Sequence, residues 1–137
     1  MAEFKLECLD HVAINVSDME AAVSWYENVL GLQKYKLSKW GEYPIFMLSG
    51  KTGIALFPAD LDLKKTAINR KSIRIDHFAF NVTNTNFELA KERYKALGLT
   101  YTFQDHFYFH SIYTKDLDGH TVELTTLVVD EDTFYQQ

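Results

Sequence analysis

Leu9–Val16 reads LDHVAINV, and Ile75–Val82 reads IDHFAFNV. Five of the eight positions are identical, and one of them is a histidine, His11 in the first copy and His77 in the second. Apolar residues alternate with small or polar ones in both, the period of a half-buried strand. A strand written twice in 137 residues is the mark of a duplicated unit, so the segments downstream of each copy should match as well.

They do. Ser17-Asp18-Met19-Glu20 has the pattern of a capping box. Met19, Ala22, Val23, Tyr26, Val29 and Leu30 then recur at helical spacing, and Gly31 stops the helix. In the second half Thr85-Asn86-Phe87-Glu88 can cap, Phe87, Ala90, Tyr94 and Leu97 form the apolar stripe, and Gly98 closes it. Strand-like stretches come next at Gln33–Leu37, Tyr43–Leu48 and Gly53–Phe57, and again at Thr100–Phe103, Phe107–Thr114 and Thr121–Val128. Gly50-Lys51 and Asp116–His120 separate the last two strands of each half with turn chemistry. The expectation is an α+β fold of two βαβββ modules, residues 8–59 and 75–128, within a single domain, 1–137. Together they would form a curved mixed sheet with helices on its outer face. Residues 60–74 read as a polar, basic linker, and 129–137 as a C-terminal tail that is either loose or packed on a second subunit.

Bulk composition narrows the function. With 47% apolar residues, 24% charged residues and a net charge of −5, the chain has ordinary globular character and no attraction for nucleic acid or anionic lipid. No apolar run approaches the roughly 20 residues that span a bilayer, and Met1–Lys5 lacks the apolar core of a signal peptide. Cys8 stands alone, so no disulfide framework calls for an oxidising compartment. The cytoplasm is the expected location.

Strand parity then assigns faces. Val12, Ile14 and Val16 share one face and His11, Ala13 and Asn15 the other; Phe78, Phe80 and Val82 stand opposite His77, Ala79 and Asn81. The large apolar rows belong under the helices, and the small, polar rows suit the lining of a wet concavity. On the last strand Val122 and Leu124 join the core row, leaving Thr121, Glu123 and Thr125 on the concave side. Two imidazoles and a carboxylate, His11, His77 and Glu123, thus suit one divalent first-row metal ion per site, iron, manganese, zinc or nickel. Three protein ligands leave positions open for water or substrate, as in a catalytic site.

The stretches LDHVAINVSDMEAAVSWYENVLGL, IDHFAFNV and SIYTKDLDGHTVEL together resemble the vicinal-oxygen-chelate superfamily, which includes glyoxalase I, extradiol dioxygenases, bleomycin-resistance proteins and fosfomycin-resistance thiol transferases. The resemblance implies paired βαβββ modules, a homodimer, and a divalent ion that chelates or polarises neighbouring oxygens of a small-molecule substrate. By position it implies the same three ligands. A glyoxalase carries a further carboxylate on the last strand of the first module, where this chain has Ala55 or Phe57, depending on register. The extradiol spacing is matched by His106, Ile112, Tyr113, Asp116, Gly119 and Glu123, with Leu117 in place of its proline. Fosfomycin transferases share the stretch from Ser111 to Glu123 but need basic residues nearby, and FQDHFYFHSIY holds none.

The reading is therefore a metal-dependent enzyme, with dioxygenase or lyase chemistry favoured. The alternatives are a metal-free, ligand-sequestering protein of the bleomycin-resistance type, or a thiol transferase. Candidates for catalysis are Tyr113, as hydrogen-bond donor or proton shuttle, and His106 and His110, as acid–base groups. Ser111, Phe107, Phe109 and Trp40 are candidates to touch substrate, with core packing the competing role for the aromatics.

Overall fold

The doubled plan is realised strand for strand. The computed structural model describes residues 4–60 and 74–135 and divides into two compact units, Met1–Leu63 and Lys64–Gln137. All but the two ends of the linker at 60–74 lie outside the described residues.

The first unit runs β1 (His11–Val16), α1 (Met19–Leu30), β2 (Gln33–Tyr35), β3 (Ile45–Ser49) and β4 (Thr52–Pro58). Its four-stranded sheet has the order β1-β4-β3-β2, with β1 and β4 parallel and the other pairs antiparallel. The second unit runs β5 (Phe78–Asn81), α2 (Asn84–Ala96), β6 (Thr102–Asp105), β7 (Phe109–Lys115) and β8 (Thr121–Leu127), and ends in a short helix, α3 (Glu131–Phe134). Its sheet repeats the arrangement as β5-β8-β7-β6, with β5 and β8 parallel. The parallel pair in each unit is a consequence of order: the helix carries the chain away from the first strand, and the last strand returns beside it. β2 is shorter than expected, because a 3-10 turn at Ser38–Trp40 comes soon after it.

Helix entry differs from the sequence reading by one or two residues. Asp18, not Ser17, caps α1, its carboxylate accepting from the Ala21 amide at 3.0 Å. Thr83, not Thr85, caps α2, its hydroxyl accepting from the Asn86 amide at 3.1 Å. Both caps sit where the preceding strand leaves the backbone extended, and replacing either by alanine costs about 1 kcal/mol. Helix exit agrees with the expectation. Gly31 adopts φ 67°, and the amide of Leu32 bonds the carbonyl of Tyr26; Gly98 adopts φ 72°, and the amide of Leu99 bonds that of Tyr94. The left-handed backbone at these two positions is open to glycine without steric cost.

Packing agrees with the parity reading. In the first unit Ile14 and Val16 of β1 are buried with Ala22, Val23, Trp25 and Tyr26 of α1, Met47, Ile54 and Leu56. In the second, Phe87 and Tyr94 of α2 are buried with Ile112, Val122 and Leu124. Each buried Val, Leu, Ile, Phe or Met among them contributes about 1.5–3 kcal/mol by leaving water. Leu97, expected on the apolar stripe, is partly exposed because α2 has already ended at Ala96. The described part of the tail packs on its own unit: the ring of Phe134 lies 4.7 Å from that of Phe109 and 5.4 Å from that of Tyr108.

Candidate functional site

In the first unit β1 presents His11, Ala13 and Asn15 on the face opposite the core. Asp10 Oδ1 lies 2.7 Å from His11 Nδ1, which holds the ring with Nε2 as its free nitrogen. The register aligns His11 with Gly53, Ala13 with Ala55 and Asn15 with Phe57, and β3 adds Phe46 beside Ala55. The Phe46 ring is 4.9 Å from that of His11 and 5.1 Å from that of Trp40. Trp40 therefore joins the histidine through one intervening aromatic. β2 adds Gln33 and Tyr35 to this face, the Tyr35 hydroxyl donating to Gln33 Oε1 at 3.3 Å, and Gly53, Ala13, Ala55, Phe46, Leu48 and Phe57 make the rest of it apolar.

The second unit repeats the geometry with different chemistry. Asp76 Oδ2 lies 2.8 Å from His77 Nδ1, and His77 Nε2 lies 2.9 Å from Glu123 Oε1. The hydrogen bond with His77, helped by Arg74 and Lys115, holds the Asp76 carboxyl below the ordinary carboxylate range. Glu123 occupies the centre of the sheet, aligned with Ala79 on one side and Tyr113 on the other, and is 7% exposed. A carboxylate so withdrawn from water requires a cationic or hydrogen-bonding neighbour.

Tyr113 stands between two of the predicted groups. Its hydroxyl is 2.9 Å from His106 Nε2. Burial, together with the charge and hydrogen bond of Glu123, pushes its pKa above the usual phenol value. His106 reaches it from the tight turn between β6 and β7, where Asp105 Oδ1 accepts from the Phe107 amide and Phe107 adopts φ 73°. Ser111, fully buried, pairs its hydroxyl with that of Thr125 at 2.9 Å. Phe109, half-buried, lines a hollow that Glu123 and His106 share.

Two candidates fall elsewhere. His110 lies on the opposite side of β7, in the row with Ile112 and Thr114, its ring 5.2 Å from that of Phe103 and its Nε2 3.7 Å from Asp105. A residue of even number on β7 cannot share a face with Tyr113. Phe107 is 75% exposed at the tip of the turn, and its positive φ explains why β7 starts only at Phe109. His120, read from the sequence as a surface residue, is partly buried and bonded to Asp116 at 2.8 Å.

The register also settles the alternative between Ala55 and Phe57. Ala55 aligns with Ala13 as Glu123 aligns with Ala79, and Ala13 and Ala79 each come two positions after their histidine. Ala55 is thus the first unit's counterpart of Glu123, and Phe46 that of Tyr113. Sequence reading missed Asp10 and Asp76, although an aspartate precedes the histidine in both copies. It also missed Lys115, which continues the row of Ser111 and Tyr113 and donates to Thr121 Oγ1 at 2.7 Å.

The donor set fits a divalent ion. Metal-bound histidines characteristically donate their second nitrogen to a carboxylate, and both histidines have one in place. Among the described residues, no three or more His, Cys, Asp or Glu side chains form a metal-holding group. Among the described residues no helix is long and apolar enough to cross a membrane.

Comparison with known proteins agrees with this architecture. The sequence profile of the Glyoxalase/Bleomycin resistance protein/Dioxygenase superfamily matches residues 8–124. The chain is 28% identical over 119 residues to a glutathione transferase FosA of Serratia marcescens, covering 87% of this chain and 80% of that protein. Similar solved structures include a glyoxalase/dioxygenase from Nostoc punctiforme (TM-score 0.74, 21% identity, 94% of this chain and 97% of that one). The fosfomycin resistance protein FosX of Mesorhizobium loti is another (TM-score 0.64, 26% identity, 94% and 99%). A lactoylglutathione lyase from Agrobacterium tumefaciens is a third (TM-score 0.67, 22% identity, 88% and 94%).

Proposed function

Because the chain belongs to the Glyoxalase/Bleomycin resistance protein/Dioxygenase superfamily, we propose that it is a metal-dependent enzyme that adds a nucleophile, a thiol or water, to a small oxygen-bearing substrate. His11, His77 and Glu123 would hold the ion, and the protein would act as a homodimer. The ion supplies a Lewis acid to neighbouring oxygens of the substrate. The observation that carries the reading is the linked set Asp76, His77, Glu123, Tyr113 and His106 on one face of the second sheet.

Tyr113 keeps its proton, since burial and Glu123 raise its pKa. It therefore serves as a donor to an oxygen that gains negative charge, and His106, 2.9 Å away, restores the proton. Ser111 is too deeply buried to touch substrate and instead holds the Thr125 hydroxyl, which orients the substrate beside it, and Lys115 offers a cation at the end of the same row. Ala55 has no carboxylate, so a base that removes a substrate carbon-bound proton from the first module is missing. That weighs against glyoxalase-type isomerisation and towards attack by a thiol or water, in keeping with the glutathione transfer named for the FosA relative.

Ring-cleaving oxygenation is the second reading. What favours it is that His106 and Tyr113, which match the extradiol spacing, are hydrogen-bonded to one another. Sequestration without metal leaves the paired Asp–His groups and buried Glu123 without a role. Elemental analysis of protein reconstituted anaerobically with Fe(II), Mn(II), Zn(II) or Ni(II) tests the metal, with one ion per chain expected and none in His11→Ala or His77→Ala. Failure of every ion to bind overturns the proposal. Turnover of epoxides with glutathione or water, against catechols with oxygen, then separates the two readings.

A further inference from the structure

We propose that the C-terminal turn belongs to the substrate site and that Tyr135, with Phe109, holds an aromatic ring of the substrate beside Glu123. The inference deepens the metal reading and rests on it for the role of Glu123.

A hollow of about 390 Å³ opens on this face of the second unit. It is lined by Ala79, Asn81, Glu123 and Thr125 of β5 and β8, by His106 and Phe109 at the start of the β7 hairpin, and by Tyr135. Ala79, the register neighbour of Glu123 on β5, contributes only a methyl group to the space there. The tail is positioned by its own packing. Phe134 meets the Phe109 ring edge-on at 4.7 Å, and the Tyr135 amide donates to the Glu131 carbonyl at 2.8 Å. This leaves the Tyr135 ring 6.4 Å from that of Phe109 at 86°, with half of its surface exposed. Two rings at right angles in edge contact form a corner of an open hollow, and such a corner receives a flat apolar group by stacking on one ring and edge contact with the other.

The order of residues along β7 gives the direction. Its site-facing row runs Lys115, Tyr113, Ser111, Phe109, from cation to aromatic. Polar parts of a substrate are therefore held toward Lys115 and Tyr113, and its aryl group toward Phe109 and Tyr135. The class selected is an aryl compound that carries neighbouring oxygens.

A pair of chelating probes tests this. Acetohydroxamate and benzohydroxamate offer the same two oxygens and differ in the ring. Isothermal titration of zinc-loaded, full-length protein is expected to show benzohydroxamate binding about 10-fold tighter. Tyr135→Ala should abolish that preference and leave acetohydroxamate binding unchanged, whereas Tyr135→Phe should retain it. Equal binding of both probes to the unaltered protein, or full preference in Tyr135→Ala, overturns the inference and leaves the metal reading intact. Should neither probe bind, the metal reading fails, and phenol titrated into metal-free protein decides the aromatic wall. Shifts of the Ala79 and Thr125 methyl NMR signals that vanish in Tyr135→Ala support it, and their absence in the unaltered protein overturns it.

Discussion

Replacing Asp116 by alanine should destabilise the second unit by about 3 kcal/mol, and the structure gives the reason. The carboxylate is 8% exposed in the turn between β7 and β8. Oδ1 accepts from the amides of Asp118 and His120, each at 2.9 Å, and Oδ2 lies 2.8 Å from His120 Nδ1. A hydrogen bond to an ionised group is worth about 1.5–3 kcal/mol. Three summed naively would exceed the real loss, because water reaches the amides of an opened turn. About 3 kcal/mol remains, which corresponds to a fall of roughly 10 °C in Tm for a chain of this size. Asp116→Asn keeps one acceptor oxygen for both amides and should lose only about 1 kcal/mol. Urea denaturation measures both, read as a shift in midpoint at constant slope. A loss below about 1 kcal/mol in Asp116→Ala, or equal damage by asparagine and alanine, would refute the reasoning. The turn also governs the site, since the hairpin it closes aligns Tyr113 with Glu123.

Three further outcomes are expected. Asp10→Asn and Asp76→Asn should each weaken zinc binding about 10- to 100-fold in chelator competition without altering Tm of the metal-free protein, since each carboxylate orients a histidine from an exposed position. Tyr94→Phe should leave Tm unchanged or raise it, because the Tyr94 hydroxyl is buried without a hydrogen-bond partner among the described residues. Burial raises the pKa of this phenol well above 10, so the folded state keeps its proton while the unfolded chain loses it. Stability should be flat below about pH 9 and fall above pH 10 by up to about 1.4 kcal/mol per unit, and Tyr94→Phe should flatten that fall. Gly53→Ala should destabilise by about 1–3 kcal/mol in thermal melts, since a methyl group there would overlap the Met47 carbonyl and press on Leu48.

The octapeptide repeat was informative because strand geometry is local. Period two places every second residue on one face, so the row of His11, Ala13 and Asn15 opposite Ile14 and Val16 is fixed by order alone. Helix stripes and glycine stops are local in the same way, and Gly31 and Gly98 fall where left-handed backbone is needed. The caps were misplaced because Ser17, Asp18, Thr83 and Thr85 all have side chains able to cap. Only the point at which the strand ends chooses among them.

What order along the chain determined for this protein is the doubled βαβββ plan and the face on which each strand residue stands. Pairing between strands depends on contacts distant in sequence, and those only the tertiary structure decided. It aligned Ala55, not Phe57, with the position that Glu123 holds in the second sheet, and it set Tyr113 beside Glu123. It also turned His110 away from Tyr113 and folded the tail's Phe134 onto Phe109. Side-chain direction along a strand is a property of the backbone, whereas the identity of the neighbour across it emerges only when the sheet closes.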